Sequence, residues 1–122
     1  MNILSAVLQA ILGLAFLGAG LSKLAGAKMH VDNFNHWKLP QWFRIVTGLV
    51  EVVGAAALVV GYWEPSWASA GALWLAVTML GGILVHVRVK DSLKLTFPSI
   101  VLFILPVGLF LIRLNDLADF PG

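Results

Sequence analysis

Residues 48–63 read GLVEVVGAAALVVGYW, and Glu51 is the only charge between Arg44 and Glu64. Small and aliphatic residues fill the rest of the run. A carboxylate there is costly whichever solvent surrounds it, so the identity of that solvent decides the fold. The whole chain answers it: 122 residues, 60% hydrophobic, 11% charged, with a mean hydropathy of +0.94. A soluble domain carries about 25% charged residues, and a chain this short has too little interior to hide so much apolar surface. The bilayer is the natural solvent.

Four apolar spans are expected, at about 3–22, 44–62, 67–87 and 97–113, each long enough as a helix to cross about 30 Å of hydrocarbon. They predict an all-α, four-helix transmembrane bundle in a single domain covering residues 1–122. Pro98 falls where the start of a helix tolerates proline, whereas Pro106 should kink the fourth span near Leu102. Between spans one and two, Val31, Phe34, Trp37 and Lys38 recur at helical spacing. That pattern allows a short interfacial helix, closed by Leu39-Pro40 because the residue before proline avoids helical angles. Ala25-Gly26-Ala27 resembles a signal-peptidase site, but the first span lacks the basic start that a signal peptide needs, so no cleavage is expected.

Seven of the eight Lys and Arg residues (Lys23, Lys28, Lys38, Arg44, Arg88, Lys90 and Lys94) fall in the loops on one side, and only Arg113 on the other. The positive-inside rule then places loops 23–44 and 88–96 in the cytoplasm and both termini outside, in a multi-pass protein of the inner (plasma) membrane. Trp37, Trp42 and Phe43 at one end and Tyr62, Trp63 and Trp67 at the other fit interfacial belts.

Glu51 shares a helix face with Gly48, Gly54 and Ala55, and small faces are where membrane helices pack closely. Its carboxylate should therefore face the bundle. Ala15, Ala19 and Lys23 make a small face on span one, and Gly18 and Ser22 a neighbouring small pair. Antiparallel neighbours bring Lys23 to Glu51. Met79, Gly82 and His86 line one face of span three, with Arg88 beyond. The expected site is a polar cluster of Lys23, Glu51, His86 and Arg88, with Gly18, Ser22, Gly48, Gly54 and Gly82 as packing positions. It can be a buried ion pair that fixes helix register, a seat for a small polar head group, or a proton-coupled site.

Other chemistries have less support. The chain has no cysteine, which excludes disulfides, thiolate nucleophiles and cysteine-ligated metal. His30, Asp32 and His36 match no standard metal-ligand spacing, and no metal is expected. Glu51 and His86 could supply a general base, but no nucleophile, phosphate loop or oxyanion pattern accompanies them. An enzyme acting alone is therefore not expected. No nucleic-acid motif is present, and topology with anionic lipid accounts for the basic residues.

Three segments taken together resemble the DoxX-like membrane proteins: GLAFLGAGLSKLAG, then FNHWKLPQWFRIVTGLVEVVGAAALVVG with its aromatic-x-x-Pro and Gly-x-x-Glu-x-x-Gly, then GALWLAVTMLGGILVHVR. The resemblance covers roughly residues 10–110. Matching positions are Lys23, Pro40, Gly48, Glu51, Gly54 and His86. It implies a four-helix transmembrane bundle. It also implies association with membrane redox systems, among them a quinone-linked thiosulfate-oxidising subunit and proteins encoded near quinone or catechol detoxification genes. Related animal proteins act as assembly chaperones for membrane receptors. Lacking cysteine, this chain departs from members that use thiol chemistry.

The expected function is thus that of an accessory protein binding a quinone- or lipid-like ligand or supporting a partner oxidoreductase. Alternatives are a small proton-coupled exporter using Glu51 and a ligand-free assembly chaperone. Membrane lipid is an expected partner, and the small faces permit a homodimer.

Overall fold

The structure, a computed structural model, describes residues 3–121. It comprises α1 (Ile3–Ala25), α2 (Lys28–His36), α3 (Gln41–Val60), α4 (Pro65–Arg88) and α5 (Leu93–Ile112), followed by a 3₁₀ turn at Leu114–Asp119. No strand occurs among the described residues. The four long helices are each apolar and long enough to cross a membrane, and α2 is the short helix that the loop spacing allows.

Every long helix begins before its apolar run or extends beyond it, because capping and not hydropathy sets the ends. α1 continues to Ala25, where Gly26 takes φ +75° and the amides of Gly26 and Ala27 bond back to the carbonyls of Lys23 and Ser22. That is a Schellman closure. α2 and α4 close the same way, at Lys38 (φ 60°) and Lys90 (φ 58°). Leu39 N–H reaches Phe34 O, and Asp91 N–H reaches His86 O. α2 therefore ends on a left-handed lysine one residue before Leu39-Pro40, and Lys38 lies outside the helix.

α5 starts at Leu93, four residues ahead of the expected span, because the Ser92 hydroxyl accepts from Leu95 N–H at 3.4 Å. Pro98 consequently lies inside the helix. The helix runs unbroken through both Pro98 and Pro106, each of which leaves one carbonyl four residues back without its helical donor.

α1 packs chiefly on α3, α4 on α5, and α3 joins the two pairs through α4. The core is formed by Leu12 and Phe16 of α1, Ala55 and Leu58 of α3, Ala72, Leu75 and Met79 of α4, and Leu109 of α5. The α1–α3 seam is a close backbone approach. A Cβ on Gly20 would stand 2.8 Å from the Gly48 carbonyl, and one on Gly48 would stand 2.9 Å from the Gly20 carbonyl. The packing glycine of α1 is therefore Gly20. Gly18 is exposed, with nothing within 4 Å of where its Cβ would stand, and Ala15 is exposed beside it. The buried face runs through Ser5, Gln9, Leu12, Phe16 and Gly20, so Gly18 and Ala15 turn away from the seam, while Lys23 reaches it.

Candidate functional site

Glu51 is ten residues into α3, about 15 Å along it. The carboxylate is only 1% exposed, and Lys23 Nζ lies 2.8 Å from its Oε1. Lys23 reaches this depth from the last turn of α1 along its aliphatic stem, 13% exposed. The Gly20–Gly48 approach makes the meeting possible, because any larger residue would hold the two backbones apart. The two charges are thus in direct contact at ion-pair distance. The carboxylate is held by charge and retains capacity to accept a proton-bearing group.

Just outside this pair, Arg44 braces the helix ends. It donates from Nη1 to the Lys23 carbonyl and from Nε to Gln41 Oε1 at 2.7 Å. Gln41 Nε2 donates in turn to Val31 O at 3.1 Å and to Asn35 Oδ1 at 3.0 Å. This chain of donors ties α1, α3 and α2 together. His30 is buried beside it, and burial lowers its pKa, helped by the charges of Lys23 and Arg44.

His86 and Arg88 belong to a different cluster. His86 Nδ1 lies 2.7 Å from Asp91 Oδ2, and His36 Nε2 lies 2.6 Å from Oδ1 of the same carboxylate. Trp37 Nε1 donates to Oδ2 at 3.3 Å, its ring packs edge-on against that of His86, and Arg88 donates from Nη2 to the Trp37 carbonyl. No hydrogen bond or ion pair joins His86 or Arg88 to Lys23 or Glu51 among the described residues. The expected four-residue cluster is therefore two: an ion pair on the α1–α3 seam, and a hub around Asp91 that fastens α2 to the end of α4. Asp91 is the residue that sequence reasoning missed. The His36 ring holds its carboxyl below the usual range, assisted by His86 and Trp37 against the upward push of burial. As for the small residues, Gly48 and Gly54 lie on buried faces of α3. Ser22 is half-buried and supplies a carbonyl to the end of α1. Gly82 meets only Ser99 Oγ of α5, at 3.8 Å. His30, Asp32 and His36 do not converge: Asp32 pairs with Lys28 at 2.7 Å, and His36 turns to Asp91.

Four apolar helices long enough to span a bilayer, closed around a buried lysine–glutamate pair, define a small multi-pass membrane protein of the all-helical class. The chain belongs to the DoxX-like family, whose model matches residues 7–108. It is also similar to the uncharacterized protein YdgD of Bacillus subtilis (strain 168), 27% identical over 105 residues that cover 85% of this chain and 92% of that one. No solved structure matches it.

Proposed function

We propose that this protein is an accessory component of a membrane redox system, seating the polar head of a quinone- or lipid-like amphiphile against Lys23 and Glu51 beside a partner oxidoreductase. The observation that carries the reading is the carboxylate, buried within a bilayer span and 2.8 Å from a single ammonium. A quinol hydroxyl has the proton that Glu51 can accept as a hydrogen bond, and a quinone carbonyl accepts from the Lys23 ammonium. Both redox forms thus find a complementary partner in one ion pair. The chain has no cysteine, so electrons are supplied and removed by the partner protein. The seven basic residues at one end support a plasma-membrane orientation with loops 23–44 and 88–96 cytoplasmic. A second copy of the chain has room on the outer faces at Gly18 and Gly81, where a Cβ would meet nothing within 4 Å.

The test is binding of a decyl-tailed benzoquinone, oxidised and reduced, to the purified protein, read by quenching of its five tryptophans. Saturable quenching is expected, weakened at least tenfold in folded Glu51→Gln. Equal binding by Glu51→Gln and Lys23→Met would sink the reading.

A second reading, a small proton-coupled exporter, has one observation of its own. Gln9, Ser66 and Ser69 are buried in the half of the bundle away from Lys23, and Gln9 Oε1 and both hydroxyls lack hydrogen-bond partners among the described residues. Polar groups thus stand on both sides of the apolar layer of Leu12, Phe16, Ala55 and Leu58. Substrate flux that follows an imposed pH gradient in vesicles, and is lost in Glu51→Gln, would favour it over the quinone seat.

A further inference from the structure

At the ends of α2 and α4 lies a cleft that neither the ion pair nor the readings above use. It is about 540 Å³ and is lined by His36, Trp37, Lys38, Arg88, Val89 and Lys90. The nearby carboxylate that would repel an anion is already engaged. Asp91 is 4% exposed, with one oxygen on His36 and the other on His86 and Trp37. Three cations remain. The ammonium groups of Lys38 and Lys90 have no ion-pair or hydrogen-bond partner among the described residues. Arg88 gives one N–H to the Trp37 carbonyl and keeps the others of its fork.

The backbone sharpens the point. Lys38 and Lys90 are the two non-glycine residues with positive φ among the described residues, and both line this cleft. α1 closes through the same turn with glycine, at Gly26. A residue with a Cβ is strained in that conformation and glycine is not. Complementing the helix dipole does not require lysine at the left-handed position, because Arg88 already stands in the last turn of α4 and His36 in that of α2. Two strained lysines facing one cleft with an arginine oppose folding on both counts. Strain and charge concentrated at one place point to a binding role.

We infer that this cleft binds the phosphate of an anionic phospholipid head group from the surrounding leaflet. Val89 lines the cleft itself, and the adjoining turns of α4 and α5 expose Val87, Leu93 and Phe97, apolar surface along which acyl chains can lie. A freely dissolved phosphate would use none of it. Basic pockets between the ends of transmembrane helices are a recurrent way of holding such head groups. The residues differ from those of the quinone seat, so either assignment can stand without the other.

The experiment uses the full chain in nanodiscs of phosphatidylcholine, with or without phosphatidylglycerol, reading Tm from tryptophan fluorescence and lipid retention by native mass spectrometry. Phosphatidylglycerol is expected to raise Tm by several degrees and to be retained. In the double variant Lys38→Gly/Lys90→Gly the left-handed turns still form. It should match or exceed wild type in phosphatidylcholine, lose the phosphatidylglycerol gain, and retain that lipid at least tenfold less. A gain that survives in the double variant overturns the proposal. So does a lower Tm of that variant in phosphatidylcholine, since the lysines would then serve only the helix ends. Lys28→Gln, which removes a cation at the same end outside the cleft, should keep the gain; losing it equally would reduce the effect to general surface charge. Inorganic phosphate at millimolar concentration should do nothing in neutral nanodiscs, and stabilisation by it would overturn the lipid assignment.

Discussion

Glu51 and Lys23 bring opposite charges into a medium that hydrates neither, so each depends on the other. Replacing only one leaves an uncompensated charge, a change that in buried pairs costs about 3–5 kcal/mol. Glu51→Gln should sit near the lower end, about 3 kcal/mol, because Lys23 is partly exposed and its ammonium can swing toward the interface. Lys23→Met combined with Glu51→Gln should recover most of that loss. Denaturant unfolding of the purified variants measures both, and additive losses would show that the two residues do not act as a pair. Two residues outside the spans respond to pH. His30 is held neutral by burial and by Lys23 and Arg44. Its folded pKa therefore lies below the ordinary 6.5, and its contribution is full above that value and declines as pH falls beneath it. Asp91 titrates lower. Its carboxylate contributes above its ordinary 3.8 and loses that contribution as acid carries it through the depressed folded value. The protection factors of the α2 amides, which refer exchange to its intrinsic rate at each pH, should accordingly fall between pH 7 and 5, and His30→Gln should flatten that fall. The Lys23–Glu51 pairing was legible because Lys23 is the lone charge of α1 and Glu51 the only charge between Arg44 and Glu64, and isolated charges in a bilayer must find one another. Asp91 was not, since it lies in a loop and pairs with His36, 55 residues away, at no spacing that periodicity reveals.

Among the elements, the α1–α3 seam depends most on small residues. Gly48→Ala drives a methyl into the carbonyl of Gly20, and a backbone in a packed helix yields little. Overpacking of this kind costs typically 1–3 kcal/mol. Gly18→Ala and Gly81→Ala meet open space and should be neutral or stabilising by up to about 1 kcal/mol, as alanine is the better helix former. Thermal melts of the three variants order them, and a Gly18→Ala loss as large as that of Gly48→Ala would mean the seam runs elsewhere. The contrast also shows where sequence reasoning stopped. Gly18 and Gly20 are two residues apart in FLGAGLSK, both small, and composition cannot choose between them. Only the rotation of α1 against α3 decides, and that is set by the whole contact surface. Helix ends were misjudged for a related reason. Hydropathy marks where lipid begins, whereas Ser92 and the left-handed turns at Gly26, Lys38 and Lys90 fix where hydrogen bonding stops.

The four spans were legible at the scale of the molecule because a bilayer demands long apolar runs, and 122 residues leave few ways to arrange four of them. Sidedness rests on charge. With no native cysteine, single cysteines can report it directly: one at Lys90 should react with an impermeant maleimide only in inverted vesicles, one at Glu64 only in right-side-out vesicles. The reverse pattern would turn the orientation over. The ion pair also has a consequence for how the chain enters the membrane during synthesis. A carboxylate at mid-bilayer raises the cost of inserting its helix by about 2.5–3.5 kcal/mol, a hindrance for α3 alone. By the time α3 leaves the ribosome, however, α1 has already been made, with Lys23 in its last turn and Gly20 open to a neighbour. The order of translation thus presents the counter-charge first, and α3 can be released into lipid with its carboxylate already matched by an ammonium.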